Sequence, residues 1–477
     1  MNILFAASEC VPFIKTGGLA DVVGALAPVL AKKGHDVRVI LPKYGMIPEK
    51  YRDQLTHVLD FYVQMGWRSQ YCGIEELHQD GVTFYFEDNE YYFFRNYIYG
   101  MGGDEYERFG FFCRAVLEAL PRLGFHPDIL HTHDWQSGMI PALMRIQYNW
   151  DEFFRTVRTV FTIHNLQYQG IFGVEDVKDV LNLDDEYFTD DKLECYGCAN
   201  FMKAGLVYAD EITTVSPSYA EEIKMPYYAE GLEGILNARH AQLSGIINGI
   251  DKEVFNPYHD PELPVHFDKG HRKGKALCKA ALQEKMGLDI RPDVPIFAMV
   301  TRMTEQKGFD LVACVLDDLM SREDMQFMLL GTGDERFENF MRAAEYRYKG
   351  RLCSYIGYSE PLSHLVYAGS DFLIMPSRFE PCGLSQMIAM RYGTLPIVRE
   401  TGGLKDTVLP YKQYTGEGNG FSFANYDAWE LRDAMRKAMD CYRSEEIMNG
   451  LIRSAMDCDF GFDRSAEEYA KLYVWML

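Results

Sequence analysis

The chain has 477 residues, 47% of them hydrophobic and 25% charged, which is typical of a globular protein and too apolar for a disordered one. This length exceeds what one hydrophobic core usually supports, so we expect two domains. The formal net charge of -22 argues against a nucleic-acid or anionic-membrane partner, because such partners need basic patches. It does not argue against a neutral polymer.

The eleven cysteines are scattered without an evenly spaced framework, so neither a disulfide scaffold nor a zinc site is predicted. A reducing compartment fits this usage. The first residues lack the basic region of a signal peptide, and no apolar stretch reaches the roughly 18 residues of a membrane span. The sequence therefore predicts a cytoplasmic protein, and no pattern in it indicates an oligomeric state.

The first half of the chain alternates short apolar runs with amphipathic segments. This alternation predicts parallel βαβ units, in which ligands bind beyond the carboxyl ends of the strands. Helices are predicted at 19–33 and 109–120. Strands are predicted at 3–7, 37–41, 82–86, 128–131, 159–163, 211–215 and 244–250.

The second half repeats the alternation after a polar run, and we place the domain boundary near residue 245. The pattern predicts an α/β fold with two doubly wound domains, 1–245 and 246–456, followed by a helical tail at 457–477. Strands of the second domain are predicted at 296–300, 327–330, 352–356, 372–375 and 395–398.

A glycine loop joins the first predicted strand to the first helix, with the sequence Lys15-Thr16-Gly17-Gly18-Leu19-Ala20-Asp21-Val22. Such a junction points backbone N–H groups and the positive end of a helix dipole at an anion, and Lys15 adds a mobile positive charge. The alternative is an ordinary turn with a solvated lysine. A second loop of this kind, Thr401-Gly402-Gly403, suggests two α/β halves that face one ligand.

Two cations follow the first strand of the second domain. Arg302 and Lys307 could bind the two phosphates of a diphosphate and neutralise negative charge as it departs. In isolation, a solvated loop pair is an equally good interpretation.

Glu380 lies one turn before a predicted helix that runs to Arg391. It could hydrogen-bond sugar hydroxyls, with the N–H groups of Cys382, Gly383 and Leu384 beside it, or it could only complement the helix dipole. Cys382 is interpreted as a small packing residue, because no histidine lies within local reach.

Other polar side chains lie on the predicted ligand rim of the first domain. His164 suits contact with a sugar, although a structural histidine is equally compatible. His131 and His133 beside Asp134 raise the possibility of a metal site, but no third ligand has a suitable spacing, so metal binding is not expected. We interpret Asp21 as a helix cap rather than as a catalytic carboxylate. In the second domain, Tyr358 could stack on a nucleobase or simply pack.

Taken together, these motifs resemble the bacterial glycogen synthase and plant starch synthase family, glycosyltransferase family 5, over essentially the whole chain. The first glycine loop and the Glu380 loop are the most specific matches. The matching segments are Lys15-Thr16-Gly17-Gly18-Leu19-Ala20-Asp21-Val22, His133-Asp134-Trp135-Gln136, Thr162-Ile163-His164-Asn165-Leu166, Asn248-Gly249-Ile250-Asp251, Arg302 to Gly308, Arg378-Phe379-Glu380-Pro381-Cys382-Gly383-Leu384, and Thr401-Gly402-Gly403-Leu404.

The resemblance implies the GT-B architecture, with two Rossmann-like domains, a deep cleft, and a final helix that packs back on the N-terminal domain. It implies a retaining transfer of glucose from ADP-glucose to the non-reducing-end 4-hydroxyl of an α-1,4-glucan. No cofactor and no metal are implied.

The resemblance also implies roles for individual residues. Arg302 and Lys307 would hold the diphosphate, with Lys15 and the Gly17-Gly18 loop facing it from the other domain. Glu380 and the amides after it would hold glucose hydroxyls. The remaining substrate contacts implied are His164 and Asn248 with the transferred sugar, Tyr358 with the adenine, Tyr99 (favoured over Tyr97) at the donor, and Asp21, Asp134, Thr401 and Gly402 around the site.

Nothing in the sequence offers a convincing pair of carboxylates for a double-displacement mechanism. We therefore expect front-face substitution, in which the leaving phosphate takes the proton of the acceptor hydroxyl. Two alternatives stay open. The protein could be a retaining glycosyltransferase that uses UDP-glucose or another acceptor, or a non-catalytic glucan-binding scaffold.

Overall fold

A computed structural model describes residues 1–100 and 102–477. The chain divides into two compact units. Unit 1 comprises Met1–Gly249 together with Phe462–Leu477, and unit 2 comprises Ile250–Gly461. The division falls close to the boundary predicted near residue 245, and the C-terminal segment groups with the first unit.

The described residues of unit 1 form a nine-stranded sheet in the order β12-β11-β7-β6-β1-β2-β5-β4-β3, and a small three-stranded sheet in the order β8-β10-β9. The strands are β1 Asn2–Ala6, β2 Asp36–Pro42, β3 Thr56–Met65, β4 Arg68–Gln79, β5 Val82–Asp88, β6 Ile129–His133, β7 Arg158–Ile163, β8 Ile171–Phe172, β9 Glu194–Cys195, β10 Cys198–Asn200, β11 Glu211–Thr214 and β12 Leu243–Gly245. The helices before the chain leaves this unit are α1 Gly18–Lys32, α2 Glu49–Arg52, α3 Glu90–Phe93, α4 Glu105–Leu123, α5 Met139–Ile146, α6 Val174–Leu181, α7 Phe201–Tyr208, α8 Pro217–Glu222 and α9 Glu233–Ala238.

Unit 2 forms a six-stranded sheet in the order β15-β14-β13-β16-β17-β18, and every neighbouring pair is parallel. Its strands are β13 Ile296–Val300, β14 Gln326–Gly331, β15 Leu352–Ile356, β16 Phe372–Met375, β17 Leu395–Arg399 and β18 Phe421–Phe423. Its helices are α10 Lys273–Met286, α11 Phe309–Arg322, α12 Glu335–Arg347, α13 Glu360–Gly369, α14 Ser385–Arg391, α15 Gly402–Thr407, α16 Ala428–Tyr442 and α17 Glu445–Met456. The last helix of the chain, α18 Phe462–Met476, belongs to unit 1.

The predicted α/β fold class is confirmed, because seven adjacent strands of the large sheet of unit 1, from β12 to β5, are parallel. In unit 2, β13 pairs with β14 on one side and β16 on the other. The strand order therefore reverses beside β13, and in unit 1 it reverses beside β1 in the same way. Such switch points leave a crevice at the carboxyl ends of the strands, where doubly wound sheets bind ligands.

The sequence prediction missed the antiparallel strands β3 and β4, which extend the sheet beyond β5. In β3 the buried positions are alternate residues of its second half, Phe61, Val63 and Met65, so only one face of this strand is covered and it lacks the continuous burial of a doubly covered strand. The strand predicted at 244–250 is also wrong beyond residue 245, since β12 ends at Gly245 opposite Thr214, the last residue of its neighbour. The predicted helical tail begins later than residue 457, at Phe462.

Among residues 1–100 and 102–477, no helix combines the length and apolarity that a bilayer crossing requires. The same ranges contain no group of three or more His, Cys, Asp or Glu side chains arranged to hold a metal ion.

Candidate active site

The first glycine loop follows β1, at the switch point of unit 1. Gly17 precedes α1 in extended conformation, and both Gly17 and Gly18 are exposed. A Cβ built on either glycine would meet no atom within 4 Å, so the space beside this backbone is open to a ligand. Lys15 is half-exposed and forms an ion pair of 2.8 Å with Asp21 on the first turn of α1. The loop thus combines open backbone with a cation, as an anion site requires.

Glu9 holds this loop in place through hydrogen bonds from Thr16, a role that the sequence analysis did not predict. The side chain is only 4% exposed and accepts hydrogen bonds from the backbone N–H of Thr16 and, at 2.7 Å, from its hydroxyl. Tyr99 donates to the same carboxylate at 2.7 Å, and its hydroxyl lies 2.7 Å from that of Ser8. The one available signal was the position of Ser8 and Glu9 directly after a strand at a switch point.

These contacts lead to a prediction about Tyr99. The Tyr99→Phe variant is expected to lose about 1–3 kcal/mol of unfolding free energy, because a buried carboxylate loses a donor. Tyr97→Phe is the matched control, since the Tyr97 hydroxyl accepts from Arg95 at 2.8 Å and no hydrogen bond joins it to a carboxylate among the described residues. We expect this variant to lose less than about 1 kcal/mol of unfolding free energy. Urea unfolding of both variants measures the difference, and equal losses would contradict this account of Glu9.

Asp134 joins the ends of β6 and β7. Its backbone has a φ of +56°, which is strained for a residue other than glycine. The carboxylate accepts the backbone N–H groups of His164 at 2.7 Å and of Asn165 at 3.4 Å. Burial raises the pKa of Asp134 to about 7, although these two hydrogen bonds lower it in part. Asp134 therefore positions the backbone on which His164 is carried.

His164 lies beside His133, with 3.0 Å between His133 Nδ1 and His164 Nε2. Burial lowers the pKa of His164 to about 3 and holds the pKa values of His131 and His133 well below their usual range. All three imidazoles are therefore neutral at pH 7. The His131 nitrogens are engaged by the hydroxyls of Tyr473 and Thr162.

The lowered pKa of His164 predicts a loss of stability in acid. Unfolded histidine binds a proton near pH 6.5 and the folded His164 does so only near pH 3, so stability falls as the pH drops through this window. Between pH 6.5 and about pH 5, His164 alone is expected to lower the free energy of unfolding by about 2 kcal/mol. His164→Gln should therefore be less acid-sensitive than the parent by about this amount in urea unfolding. Identical pH profiles would refute the assignment.

In unit 2, the loop after β13 and the loop after β16 are joined at the switch point. Gly308 has a φ of +71° and approaches Pro376 so closely that an added Cβ would lie 2.1 Å from the Pro376 carbonyl oxygen. The backbone N–H of Arg378 donates to the carbonyl of Gln306 at 2.8 Å. These contacts bring the two loops, which are distant in sequence, to one place.

The joined loops place Lys307 beside Glu380. Lys307 Nζ lies 2.6 Å from Glu380 Oε2, which also accepts from the Ser377 hydroxyl at 3.0 Å. The Glu380 side chain is 8% exposed and that of Lys307 is 20% exposed. Arg302 is exposed, and within residues 1–100 and 102–477 no hydrogen bond or ion pair engages its guanidinium. Two cations and an oriented carboxylate thus lie on the loops at this strand edge.

The second glycine loop differs from the first. A Cβ on Gly402 would lie 2.0 Å from the Glu380 carbonyl oxygen, and one on Gly403 would lie 2.2 Å from that of Cys382. Gly403 also donates its N–H to the carbonyls of Glu380 and Pro381. Thr401 and both glycines are buried. These glycines therefore allow the Glu380 loop to pack closely, whereas Gly17 and Gly18 leave open space.

Three further residues predicted to contact the substrate differ in their exposure to solvent. Cys382 is 5% exposed, as expected of a packing residue, and precedes Gly383 and Leu384 at the start of α14. Tyr358 is 79% exposed and follows Gly357, whose φ is +152°. Asn248 is 7% exposed, and its buried Oδ1 has no hydrogen-bond partner within the described residues.

Comparison with known proteins assigns the chain to a family. Residues 2–238 match the family model described as the starch synthase catalytic domain, and residues 283–453 match that of glycosyl transferases group 1. Proteins named glycogen synthase from Geobacillus thermodenitrificans and Geobacillus stearothermophilus are each 54% identical over 477 residues, which is all of this chain and 98% of theirs.

Solved structures agree with this assignment. The catalytic domain of starch synthase IV from Arabidopsis thaliana, bound to ADP and acarbose, is 33% identical with a TM-score of 0.91 over 99% of each chain. Sucrose-phosphate synthase from Thermosynechococcus elongatus has a TM-score of 0.63 at 18% identity, over 100% of this chain and 99% of that one, a likeness of fold alone. The predicted GT-B fold is confirmed, and this chain belongs to the glycogen synthase and starch synthase family of glycosyltransferases.

Proposed function

We propose that this protein transfers glucose from ADP-glucose to the non-reducing-end 4-hydroxyl of an α-1,4-glucan, with retention of configuration and release of ADP. The observation that carries the proposal is the Lys307–Glu380 pair, 2.6 Å apart at the switch point of unit 2, with a second cation, Arg302, on the same loop as Lys307. The relatives named glycogen synthase support the glucan acceptor, and the ADP-bound neighbour favours ADP over UDP as the leaving group.

Arg302 and Lys307 would bind the diphosphate and stabilise the charge that develops on it as the glycosidic bond breaks. Arg302 is suited to bidentate contact with phosphate oxygens, whereas Lys307 acts as a point charge. Lys15 and the open backbone of Gly17 and Gly18 would provide positive potential for an anionic ligand. Asp21, paired with Lys15, would hold that cation in place.

The transferred glucose would be held through its hydroxyl groups. Glu380 Oε2 is already committed to Lys307 and Ser377, which leaves Oε1 to accept from a sugar hydroxyl. The amides of Cys382, Gly383 and Leu384 would donate to the same sugar or to phosphate. The sugar and the acceptor would be contacted by His164, Asn248 and Asp134. Tyr358 would contact the adenine, and Tyr99 would contact the donor. The Glu380 loop would be shaped by Thr401 and Gly402.

A carboxylate tied to Lys307 is a poor nucleophile, so this pairing favours front-face substitution. In that mechanism the C1–O bond to the diphosphate breaks as the acceptor hydroxyl enters on the same face. The acceptor proton passes to the departing phosphate oxygen, so the balanced products are ADP and the lengthened glucan. The contribution of the protein is positioning and charge stabilisation.

The test measures release of nucleoside diphosphate by the purified protein, given ADP-glucose or UDP-glucose, with and without glycogen. We expect ADP release that requires glycogen and persists in the presence of EDTA. A preference for UDP-glucose would overturn the donor assignment while leaving the transfer intact. Glycogen binding with neither donor consumed would instead favour a non-catalytic scaffold.

A further inference from the structure

Three imidazoles form a buried row in unit 1. His131 and His133 lie two residues apart on β6 and therefore face the same side of the sheet, with their ring centroids 4.2 Å apart. His164 continues the row through the contact of 3.0 Å between its Nε2 and His133 Nδ1. Helix α18 covers the other end, where the Tyr473 hydroxyl lies 2.7 Å from His131 Nδ1.

The hydrogen-bond partners along this row are unequal. Both nitrogens of His131 have hydroxyl partners, on Tyr473 and Thr162. His133 Nε2 is buried with no hydrogen-bond partner among the described residues. The ring of Phe5 stands edge-on to His133 at 5.4 Å. No described residue hydrogen-bonds His164 Nδ1 either, which leaves that nitrogen available to a ligand.

Because His133 and His164 are both neutral, each carries one proton, and only one proton can lie between them. If His164 Nε2 carried it, His133 would hold its own proton on Nε2, as a buried donor with nothing to donate to. If His133 Nδ1 carries the proton, the unpartnered Nε2 of His133 has no proton and is only an unused acceptor. Buried unpaired N–H groups are rarer than under-used acceptors, and the hydrogen bond at one ring nitrogen sets the protonation of the other.

We propose that His133 fixes the tautomer of His164. His133 donates from Nδ1 to Nε2 of His164, so His164 carries its proton on Nδ1 and presents an N–H donor to a ligand. His133 is thus a positioning residue. The consequence for catalysis rests on the proposed function, in which His164 contacts the transferred sugar: His164 would donate to a sugar oxygen and would not act as a base.

The tautomer can be measured without any activity assay. The full chain, labelled with 15N in its histidine rings, is recorded by NMR at neutral pH, and resonances are assigned with His131→Gln, His133→Asn and His164→Gln variants. We expect His164 to have a protonated Nδ1 and a bare Nε2. A protonated Nε2, a tautomer mixture or an imidazolium at His164 would each overturn the proposal. The result is independent of the proposed function, since the tautomer can be as expected in a protein that releases no ADP.

A pair of variants separates tautomer control from simple packing. In His133→Asn the introduced side-chain amide can donate from close to the position of the lost Nδ1, whereas His133→Phe keeps a ring without a donor. We expect His164 to keep its protonated Nδ1 in the asparagine variant and to become a tautomer mixture in the phenylalanine variant, with kcat/KM about tenfold lower in the latter. The same His164 tautomer in both variants would refute the role of His133.

Discussion

Replacing Lys307 by alanine is expected to lower kcat by about 100- to 1,000-fold, the effect of removing one preorganised charge from a site where negative charge develops. The KM for the sugar nucleotide should change much less, because the added charge on the diphosphate appears only in the transition state. Steady-state kinetics with ADP-glucose and glycogen measure both constants. An unchanged kcat would contradict the proposed role.

Lys307 is also the ion-pair partner of Glu380, so a structural explanation needs its own control. Glu380→Gln in the Lys307→Ala background removes the unpaired carboxylate and restores folding if charge imbalance is the main defect. Urea unfolding of the single and double variants measures this effect. Lys412→Ala is the matched surface variant, since Lys412 pairs with Glu417 at 3.7 Å and is 65% exposed; this change should leave kcat unaltered.

Replacing Arg302 by alanine is expected to lower kcat/KM for the sugar nucleotide by about 100-fold, since a cation that bonds phosphate in both ground and transition states is lost. Stability should change by less than about 0.5 kcal/mol, because the guanidinium is exposed and makes no hydrogen bond or ion pair to any described residue. A large loss of kcat/KM with an unchanged free energy of unfolding would distinguish Arg302→Ala from Lys307→Ala, which also removes an ion pair.

Arg302→Lys tests whether bidentate geometry matters as well as charge. We expect it to recover only part of the lost kcat/KM, because an ammonium group cannot form two parallel bonds to one phosphate. Arg322→Ala is a suitable control, as Arg322 lies on the exposed face of α11 and pairs with Asp318 one turn away. If Arg302→Ala and Arg322→Ala behaved alike, Arg302 would have no part in donor binding.

Much of the architecture could be predicted because its causes are local in sequence. The continuous apolar run at residues 296–300 matches β13 as the structure has it, since parallel strands covered on both faces need such runs. The polar residues after strands could be assigned to one rim because carboxyl ends of parallel strands share an edge. Strands β3 and β4 escaped prediction because some of their exposed positions also carry large apolar residues, such as Tyr62 and Tyr71, which obscures the alternation of apolar and polar side chains.

The sequence by itself therefore determined the fold class, the glycine loops and the cations at the strand ends, because each of these depends on short-range pattern and backbone chemistry. Only the tertiary structure decided which side chains meet. The hydrogen-bonded pairs of the site are far apart in sequence: Tyr99 and Glu9 by 90 residues, Lys307 and Glu380 by 73, and Tyr473 and His131 by 342. Burial and hydrogen bonding set the protonation of such groups, and both arise only when distant segments pack together.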